Sequence, residues 1–257
     1  MIIKHHDVLN TLRHTNPLIL NVTNHVSMDF VANGLLSVGA SPIMTLAEEE
    51  IEDLMRIAHA VVINLGTLNE AFIRLCHKAC ACANQYQKPI IFDPVGVGAS
   101  AYRTQTAQSL LAQYAFEIIR ANASEIMALS GGLHRSKGVD SSLDSGAAIE
   151  GGHALSHVHQ AVVVISGAQD HIIHQHQRTT LTCGSVMMPQ ITGTGCLLTA
   201  VTGAFRAVHS QAYEAATMAT AFYGQCGETA AAKAQGPGTF KPYFLDALHA
   251  EEKVTQP

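Results

Sequence analysis

The chain alternates between two kinds of hydrophobic pattern. Short, continuous apolar runs rich in Val and Ile, such as residues 60–65 before Gly66, are typical of strands buried on both faces of a parallel sheet. The longer segments between them carry apolar residues at helical spacing, so we expect helices that pack against that sheet. This alternation predicts an α/β fold with a mainly parallel sheet and helices on both of its faces.

The predicted elements follow one another without a segment that marks a linker. The expected strands are residues 18–22, 42–44, 60–65, 89–93, 116–121 and 161–165, with an edge hairpin at 171–176 and 179–183. The expected helices are residues 3–16, 28–38, 69–87, 104–114, 123–130, 146–159, 194–209, 212–233 and 240–252, with one more opened by the acids at 48–50. Ser27 and Asn122 are expected N-caps. We therefore predict a single domain spanning residues 1–257.

Composition narrows the class of protein. The 257 residues are 47% hydrophobic and 14% charged, which excludes a disordered chain. A net charge of -5 and the lack of a basic cluster argue against a nucleic-acid partner. The longest apolar runs are too short to span a bilayer, and no long apolar leader follows Met1. We expect a soluble, cytoplasmic protein without a membrane partner.

Cysteine and histidine are frequent enough to raise the question of a metal site. Cys76 and Cys80 share a helix face, but a zinc site there lacks a fourth ligand at suitable spacing. Buried helix thiols are the favoured interpretation. His174 and His176 alternate onto one face of the predicted hairpin, where a solvated edge is favoured over a metal site.

A glycine-rich turn, Gly193-Thr194-Gly195-Cys196, opens the helix at 194–209. The first-turn N–H groups of a helix lack partners at its positive end, so such a turn predicts an anion site. By itself, a Gly-x-Gly turn with a cysteine is more often structural. The interpretation therefore depends on what the other strand ends supply.

Polar residues end most of the predicted strands, where ligands bind in open α/β sheets. They are Asn24, Asn64, Asp93, Arg120, Asn122, Glu125 and Ser166. Each alone is explained by a cap or a turn. Together with the glycine turn they supply carboxylates for magnesium, a cation for phosphates and N–H donors, which is the chemistry of phosphoryl transfer. A Walker-type P-loop is excluded, because no Gly-x-x-x-x-Gly-Lys-Ser/Thr is present.

Seven short motifs occur in a fixed order along most of the chain. They are Thr23-Asn24-His25-Val26, Gly39-Ala40-Ser41-Pro42-Ile43-Met44, Ala47-Glu48-Glu49-Glu50, Asp93-Pro94-Val95-Gly96-Val97-Gly98-Ala99, Asn122-Ala123-Ser124-Glu125-Ile126, Gly138-Val139-Asp140 and Gly193-Thr194-Gly195-Cys196. From about residue 17 to residue 248, the chain resembles the ribokinase-like small-molecule kinases, and more narrowly the hydroxyethylthiazole kinase family. The resemblance implies a ribokinase-like three-layer sandwich and a phosphotransferase of thiamine salvage. Such an enzyme uses ATP and Mg2+ to phosphorylate the hydroxyl of 4-methyl-5-(2-hydroxyethyl)thiazole.

The resemblance also implies roles for individual residues. Those implied to contact the thiazole alcohol are Met44, Gly193, Asn24 and Val26. Those implied to contact ATP are Arg120 and Ser166, and those implied to organise Mg2+, partly through water, are Asp93 and Glu125. Backbone N–H groups of Gly193, Thr194, Gly195 and Cys196 would meet the transferring phosphoryl group. A homotrimer with sites between neighbouring subunits is implied as well.

Two positions bear on the narrower assignment. Most ribokinase-like enzymes carry an aspartate as general base where this chain has Cys196, whereas the thiazole kinases as a group carry cysteine. A helix N-terminus can lower a thiol pKa from its ordinary value of about 8.5, so Cys196 could act as a base. A dissociative transition state, however, needs little from a base. Ala168 stands where the family usually has an acid, which leaves details of the nucleotide contacts open.

Two alternatives stay open. One is another ribokinase-like kinase, acting on hydroxymethylpyrimidine or a sugar; those enzymes would be expected to carry aspartate at position 196. The other is a non-catalytic nucleotide- or vitamin-binding module on the same scaffold. The presence of Asp93, Arg120 and Glu125 together argues against the second, because a binding module does not need acids that organise a metal.

Overall fold

The apolar runs form the strands of one sheet. In a computed structural model that describes residues 5–131 and 145–250, the strands are β1 (Leu18–Val22), β2 (Ser41–Met44), β3 (Ala60–Asn64), β4 (Ile90–Asp93), β5 (Ile118–Asn122), β6 (Val162–Ser166), β7 (Asp170–His174) and β8 (Gln177–Leu181). Their order is β2-β1-β3-β4-β5-β6-β7-β8. The pairings from β2 through β6 are parallel, and β7 and β8 add an antiparallel edge hairpin. The mainly parallel sheet and its edge hairpin are as the sequence predicts.

Helices cover both faces of this sheet. Within the described residues they are α1 (His6–Thr15), α2 (Met28–Val38), α3 (Ile51–Ile57), α4 (Glu70–Gln85), α5 (Ala101–Gln113), α6 (Ala123–Ser130), α7 (Ser145–His159), α8 (Thr194–Val208), α9 (Ala212–Ala231) and α10 (Pro237–His249). Two 3₁₀ helices are Glu48–Glu50 and Met188–Gln190. None of the helices in this part of the chain has both the length and the apolar character that a bilayer crossing needs.

Two hydrophobic cores lie on opposite sides of the sheet. Alternate strand residues, such as Val62 and Ile91, pack with helices α1, α2, α8, α9 and α10. Their neighbours in sequence, such as Val61 and Ile90, pack with helices α3 to α7. Successive side chains of a strand point to opposite faces, so a continuous apolar run feeds both cores. The result is the expected three-layer sandwich.

Some predicted details differ from the structure, and one is not tested by it. Ser27 occupies the predicted N-cap position of α2, but its side chain makes no capping hydrogen bond; its own N–H donates to Asn24 Oδ1 at 2.9 Å. Helix α5 begins three residues earlier than expected, because Ser100 caps it by accepting from the N–H of Arg103. Strand β7 ends at His174, so His176 lies in the hairpin turn. The motif at 138–140 falls outside the described residues.

Cys76 and Cys80 are buried thiols of α4, as predicted. Among residues 5–131 and 145–250, no group of three or more His, Cys, Asp or Glu side chains is arranged to hold a metal ion.

The N-cap of α4 offers a test of local stability. Asn69 accepts a hydrogen bond from the N–H of Phe72 at 2.8 Å, whereas Gln211, at the N-cap of α9, makes no such bond. We expect Asn69→Ala to lower the free energy of unfolding by about 1 kcal/mol, because a helix N–H loses its acceptor. Gln211→Ala, the matched control, should leave it unchanged within about 0.5 kcal/mol. Urea denaturation measures both, and equal effects would contradict this account of the cap.

Candidate active site

The polar strand ends continue the rows of side chains that form the core beneath α8. Val62, Ile91 and Ile118 belong to that core. Because side chains on one face recur every second residue, the next positions in these rows are Asn64, Asp93 and Arg120. Asn64 and Asp93 are register partners across β3 and β4. The face that is apolar in the middle of the strands is therefore polar at their carboxyl ends.

The N-terminus of α8 meets this polar end. Gly193 occupies the N-cap with φ +94° and has no side chain to cap the helix. The N–H of Thr194 donates to the carbonyl oxygen of Ile191 at 3.4 Å, and among the described residues those of Gly195 and Cys196 are left for another acceptor. Gly193 and Gly195 leave no room for a side chain, because neighbouring side chains approach both of them closely. A Cβ on Gly193 would lie 2.8 Å from Ser27 Cβ, and one on Gly195 would lie 2.7 Å from a guanidinium nitrogen of Arg120. The predicted anion turn thus has its open donors beside a cation.

Asp93 is the buried centre of the site. Its side chain is completely inaccessible to solvent, and Oδ2 accepts hydrogen bonds from Asn64 Nδ2 at 2.8 Å and Thr199 Oγ1 at 2.7 Å. Oδ1 has no hydrogen-bond partner among the described residues. Burial raises the pKa of Asp93 to about 6, against the opposing effects of Arg120, Thr199 and Asn64. One carboxylate oxygen is thus held by donors, and the other is free for a ligand.

Arg120 lies between Asp93 and Ser166, the other residue that the sequence predicts to contact ATP. Its NH1 lies 3.7 Å from Asp93 Oδ2, and its NH2 donates to Ser166 Oγ. Arg120 and Ser166 both line a cavity of about 650 Å³, together with Thr194 and Gly195 of the glycine turn. The cavity therefore joins the two predicted ATP residues to the anion turn, with a fixed positive charge in its wall.

Glu125 is held by backbone donors. Its Oε2 accepts from the N–H of Asn122, which completes a capping box at the start of α6, and its Oε1 accepts from the N–H of Gly96 at 2.7 Å. This joins the loop after β4 to the loop after β5. Arg103 braces the same region by donating to the carbonyl oxygens of Leu65, Gly66 and Val95. Any metal ligation by Glu125 therefore has to use the remaining lone pairs of its oxygens.

The thiol of Cys196 lies in a polar, half-buried corner. Asn24 Nδ2 is 3.4 Å from its sulfur. Burial is the main cause that raises the pKa of the Cys196 thiol, and the nearby Asp93 carboxylate is the second. The side chains of Ser27, Asn64 and Asn24 lower this pKa in part. The lowering that a helix N-terminus could give is outweighed, because removing a thiolate from water disfavours its charge. The protein therefore favours the neutral thiol.

The residues predicted for the thiazole alcohol lie after the carboxyl end of β1, at the end of the paired strand β2 and in the glycine turn. Gly193 and Asn24 lie at the glycine turn, with Asn24 in contact with Cys196. Met44, at the end of the edge strand β2, is half-buried against the core beneath α8. The side chain of Val26 is 69% exposed. All four of these residues lie outside the lining of the 650 Å³ cavity.

Sequence analysis did not identify three residues of the site. Thr199, which donates to Asp93, lies one helical turn after Gly195, so the spacing held a signal. Tyr223 comes from α9 and donates to the carbonyl oxygen of Thr194 at 2.6 Å, a contact with no local signal. Asp170 lies in the cavity wall and accepts from the N–H of Gly167 at 3.0 Å.

Asp170 gives the cavity wall a pH dependence. Burial raises its pKa to about 6, against the hydrogen bond from Gly167 and the charge of Arg120. An unfolded aspartate titrates near 3.9, so the folded protein binds a proton at Asp170 more tightly than the unfolded chain does. The stability gained from this protonated carboxyl is lost as the pH rises from about 4 through 6. Asp170→Asn keeps the acceptor for Gly167 and removes the charge.

We expect the free energy of unfolding of Asp170→Asn to exceed that of the wild type by about 1–3 kcal/mol at pH 7.5, and to match it near pH 4. Urea denaturation across this range measures the difference. A difference that is constant with pH, or that shrinks as pH rises, would contradict the buried state of this carboxyl.

Comparison with known proteins gives a consistent result. The hydroxyethylthiazole kinase family matches residues 9–253. A hydroxyethylthiazole kinase from Photobacterium profundum is 47% identical over 249 residues, which are 96% of this chain and 90% of the relative. The structure of a hydroxyethylthiazole kinase protein from Pyrococcus horikoshii is 35% identical with a TM-score of 0.87, covering 95% of this chain and 92% of that one.

A more distant structure supports the fold. A ribokinase-like superfamily protein from Enterococcus faecalis is 12% identical and has a TM-score of 0.64, with 93% of each chain covered. At this identity the likeness speaks for the ribokinase-like fold alone. With the family match over most of its length and 47% identity to a relative covered almost in full, the chain belongs to the hydroxyethylthiazole kinase family.

Proposed function

We propose that this protein transfers the γ-phosphoryl group of ATP to the hydroxyl of 4-methyl-5-(2-hydroxyethyl)thiazole, as the phosphotransferase of thiamine salvage. The observation that carries the proposal is the meeting of a buried Asp93–Arg120 pair with the open N-terminus of α8, beside a cavity of about 650 Å³. Family membership supplies the substrate, since its members named above are hydroxyethylthiazole kinases.

In this proposal ATP binds in the cavity. The guanidinium of Arg120 and the hydroxyl of Ser166, both in its wall, are suited to phosphate oxygens. We assign the backbone of Gly193, Thr194, Gly195 and Cys196 to the transferring phosphoryl group, whose charge is spread over its equatorial oxygens; the N–H of Thr194 also donates to the carbonyl oxygen of Ile191 at 3.4 Å. Catalysis then consists of positioning and of donors fixed before the reaction.

We assign the organisation of Mg2+ to Asp93 and Glu125. Support comes from the free Oδ1 of Asp93, a buried oxygen without a partner among the described residues. Magnesium commonly takes one or two carboxylates and completes its shell with water and substrate phosphates, which agrees with the lack of a three-ligand cluster in the described part of the chain. When bound, the ion would neutralise charge on the phosphates. Glu125, with both oxygens already accepting from backbone N–H groups, would act through water.

The thiazole alcohol would contact Gly193 and Asn24 on the Cys196 side of the turn. Met44 and Val26 complete the proposed contacts, and the 69% exposed side chain of Val26 suits a site that a neighbouring subunit covers. We therefore propose a homotrimer with sites between subunits. We also propose that the protein works in the cytoplasm, where its six free cysteines stay reduced. Light scattering after size exclusion should give three times the mass of the chain.

The activity itself is tested with purified protein, ATP, Mg2+ and the thiazole alcohol. Turnover of that alcohol is expected, whereas hydroxymethylpyrimidine and sugars should be poor acceptors. Thermal-shift measurements distinguish a binding module, which would be stabilised by the thiazole without responding to magnesium–ATP. No turnover over a wide range of substrate and metal concentrations would refute the proposal.

Asp93→Asn separates catalysis from stability. The amide keeps an acceptor for Thr199 but removes the charge, so we expect kcat to fall at least about 100-fold. The free energy of unfolding should not fall, since a buried charge is disfavoured at this position. Kinetics and urea denaturation of the same preparation measure both. Wild-type kcat in this variant would remove Asp93 from the reaction.

Cys196→Ser tests the thiol as a base. Because burial raises the pKa of this thiol, we expect the neutral form to predominate and the serine variant to keep kcat within about threefold. The pH dependence of kcat should also be unchanged. A large fall in kcat, with loss of one limb of the pH profile, would instead identify the thiolate as the general base.

A further inference from the structure

Asn64, at the end of β3, is a fully buried amide. Both ends of the amide are used. Oδ1 accepts from the N–H of Gly66 at 3.0 Å and from Asn24 Nδ2 at 2.8 Å, and Nδ2 donates to Asp93 Oδ2 at 2.8 Å. Asn64 therefore contacts both the Asn24 side and the Asp93 side of the site.

The direction of this chain of hydrogen bonds is fixed by two backbone groups. The N–H of Gly66 can only donate, so it requires the oxygen of the Asn64 amide, and the NH2 group must face Asp93. The N–H of Ser27 fixes Asn24 in the same way, at 2.9 Å from its Oδ1. Turning over the Asn24 amide would leave the buried N–H of Ser27 unpaired, which costs about 1–3 kcal/mol. Turning over the Asn64 amide would do the same to the half-buried N–H of Gly66.

Two consequences follow for the reacting groups. Asp93 Oδ2 is occupied by Asn64 and Thr199, so Oδ1 is the oxygen that stays available. Asn24 donates one hydrogen to Asn64 and has the other for the sulfur of Cys196, so the thiol proton points away from Asn24. One amide thus sets the orientation of a carboxylate and of a second amide.

We propose that Asn64 is a positioning residue for the phosphoryl transfer, holding the Asp93 carboxylate and the Asn24 amide in a fixed mutual arrangement. This rests on the proposed function, in which Asp93 organises the phosphoryl side and Asn24 contacts the acceptor alcohol. Support comes from the next position back in the same row, Val62, which packs there as an apolar side chain. Packing alone therefore does not require an amide.

Asn21 supplies a matched control. It too is a fully buried amide, on the neighbouring strand β1, but its Nδ2 donates only to the carbonyl oxygen of Ile19 in its own strand. Its Oδ1 has no partner within the described residues. Asn21→Leu and Asn64→Leu therefore make the same substitution in the same sheet, with and without the connection to Asp93.

For Asn64→Leu we expect kcat to fall by about 100-fold, since a misplacement of about 1 Å has that effect. KM for ATP should change by less than about threefold, because the hydrogen bond between Arg120 and Ser166 does not involve Asn64. Asn21→Leu should keep both constants within about twofold. Urea denaturation at the assay temperature confirms that both variants are folded.

A second measurement needs no turnover and no change at Asn64. In ¹⁵N–¹H spectra, Cys196→Ser should shift the side-chain NH2 signals of both Asn24 and Asn64, and leave that of Asn21 in place. This measurement also tests the positioning role of Asn64 if Asn64→Leu does not fold. Unmoved signals of Asn24 and Asn64 would overturn the inference.

The kinetic outcomes separate the inference from the function beneath it. An active wild type with a folded Asn64→Leu of similar kcat overturns the positioning role alone. A wild type without activity overturns the proposed function. If Asn21→Leu lowers kcat by the same factor as Asn64→Leu, the fall reflects a general effect of substitutions in the sheet, and the inference would be wrong.

Discussion

The site depends on a carboxylate that is fully buried at the end of a central strand. Removing such a charge from solvent costs several kcal/mol unless neighbours donate to it or carry the opposite charge. Asp93 meets this requirement on one oxygen only, with donors at 2.7 and 2.8 Å and a guanidinium at 3.7 Å. Burial still raises its pKa to about 6. The surrounding residues are therefore constrained to be donors, and the second oxygen is available for a ligand.

The same helix serves the core and the site. Val201, Ala204 and Phe205 of α8 are fully buried in the core against the sheet, and a Cβ on Gly203 would lie 3.3 Å from Val62. Close packing at this density leaves little freedom for the helix to move. The hydrophobic core thus fixes where the first turn of α8 lies, and with it the distance between the anion turn and Arg120.

The thiol of Cys196 illustrates competition between two general effects. A helix N-terminus favours negative charge, typically by 0.3 to about 2 kcal/mol. Burial disfavours it, and the neighbouring Asp93 carboxylate adds repulsion, so the pKa rises. The kinase reaction is compatible with this, because a loose transition state is stabilised mainly by positioned donors and cations. Asn24, oriented through Asn64, then matters more for geometry than for proton transfer.

The sequence by itself determined what depends on near neighbours in the chain. The apolar runs of the strands, the capping box of Asn122 and Glu125, and the glycine turn before α8 all rest on contacts over a few residues. Ser27 marks the limit even there, since its hydroxyl does not cap α2. Helical spacing places Thr199 one turn after Gly195, but only the tertiary structure decided that its partner is Asp93, 106 positions away, and that Tyr223 fixes the carbonyl oxygen of Thr194. It also decided which oxygen of Asp93 is free and in which direction the Cys196 pKa moves. Those properties depend on burial and on partners that the fold brings together from different helices and strands, and neither periodicity nor spacing carries that information.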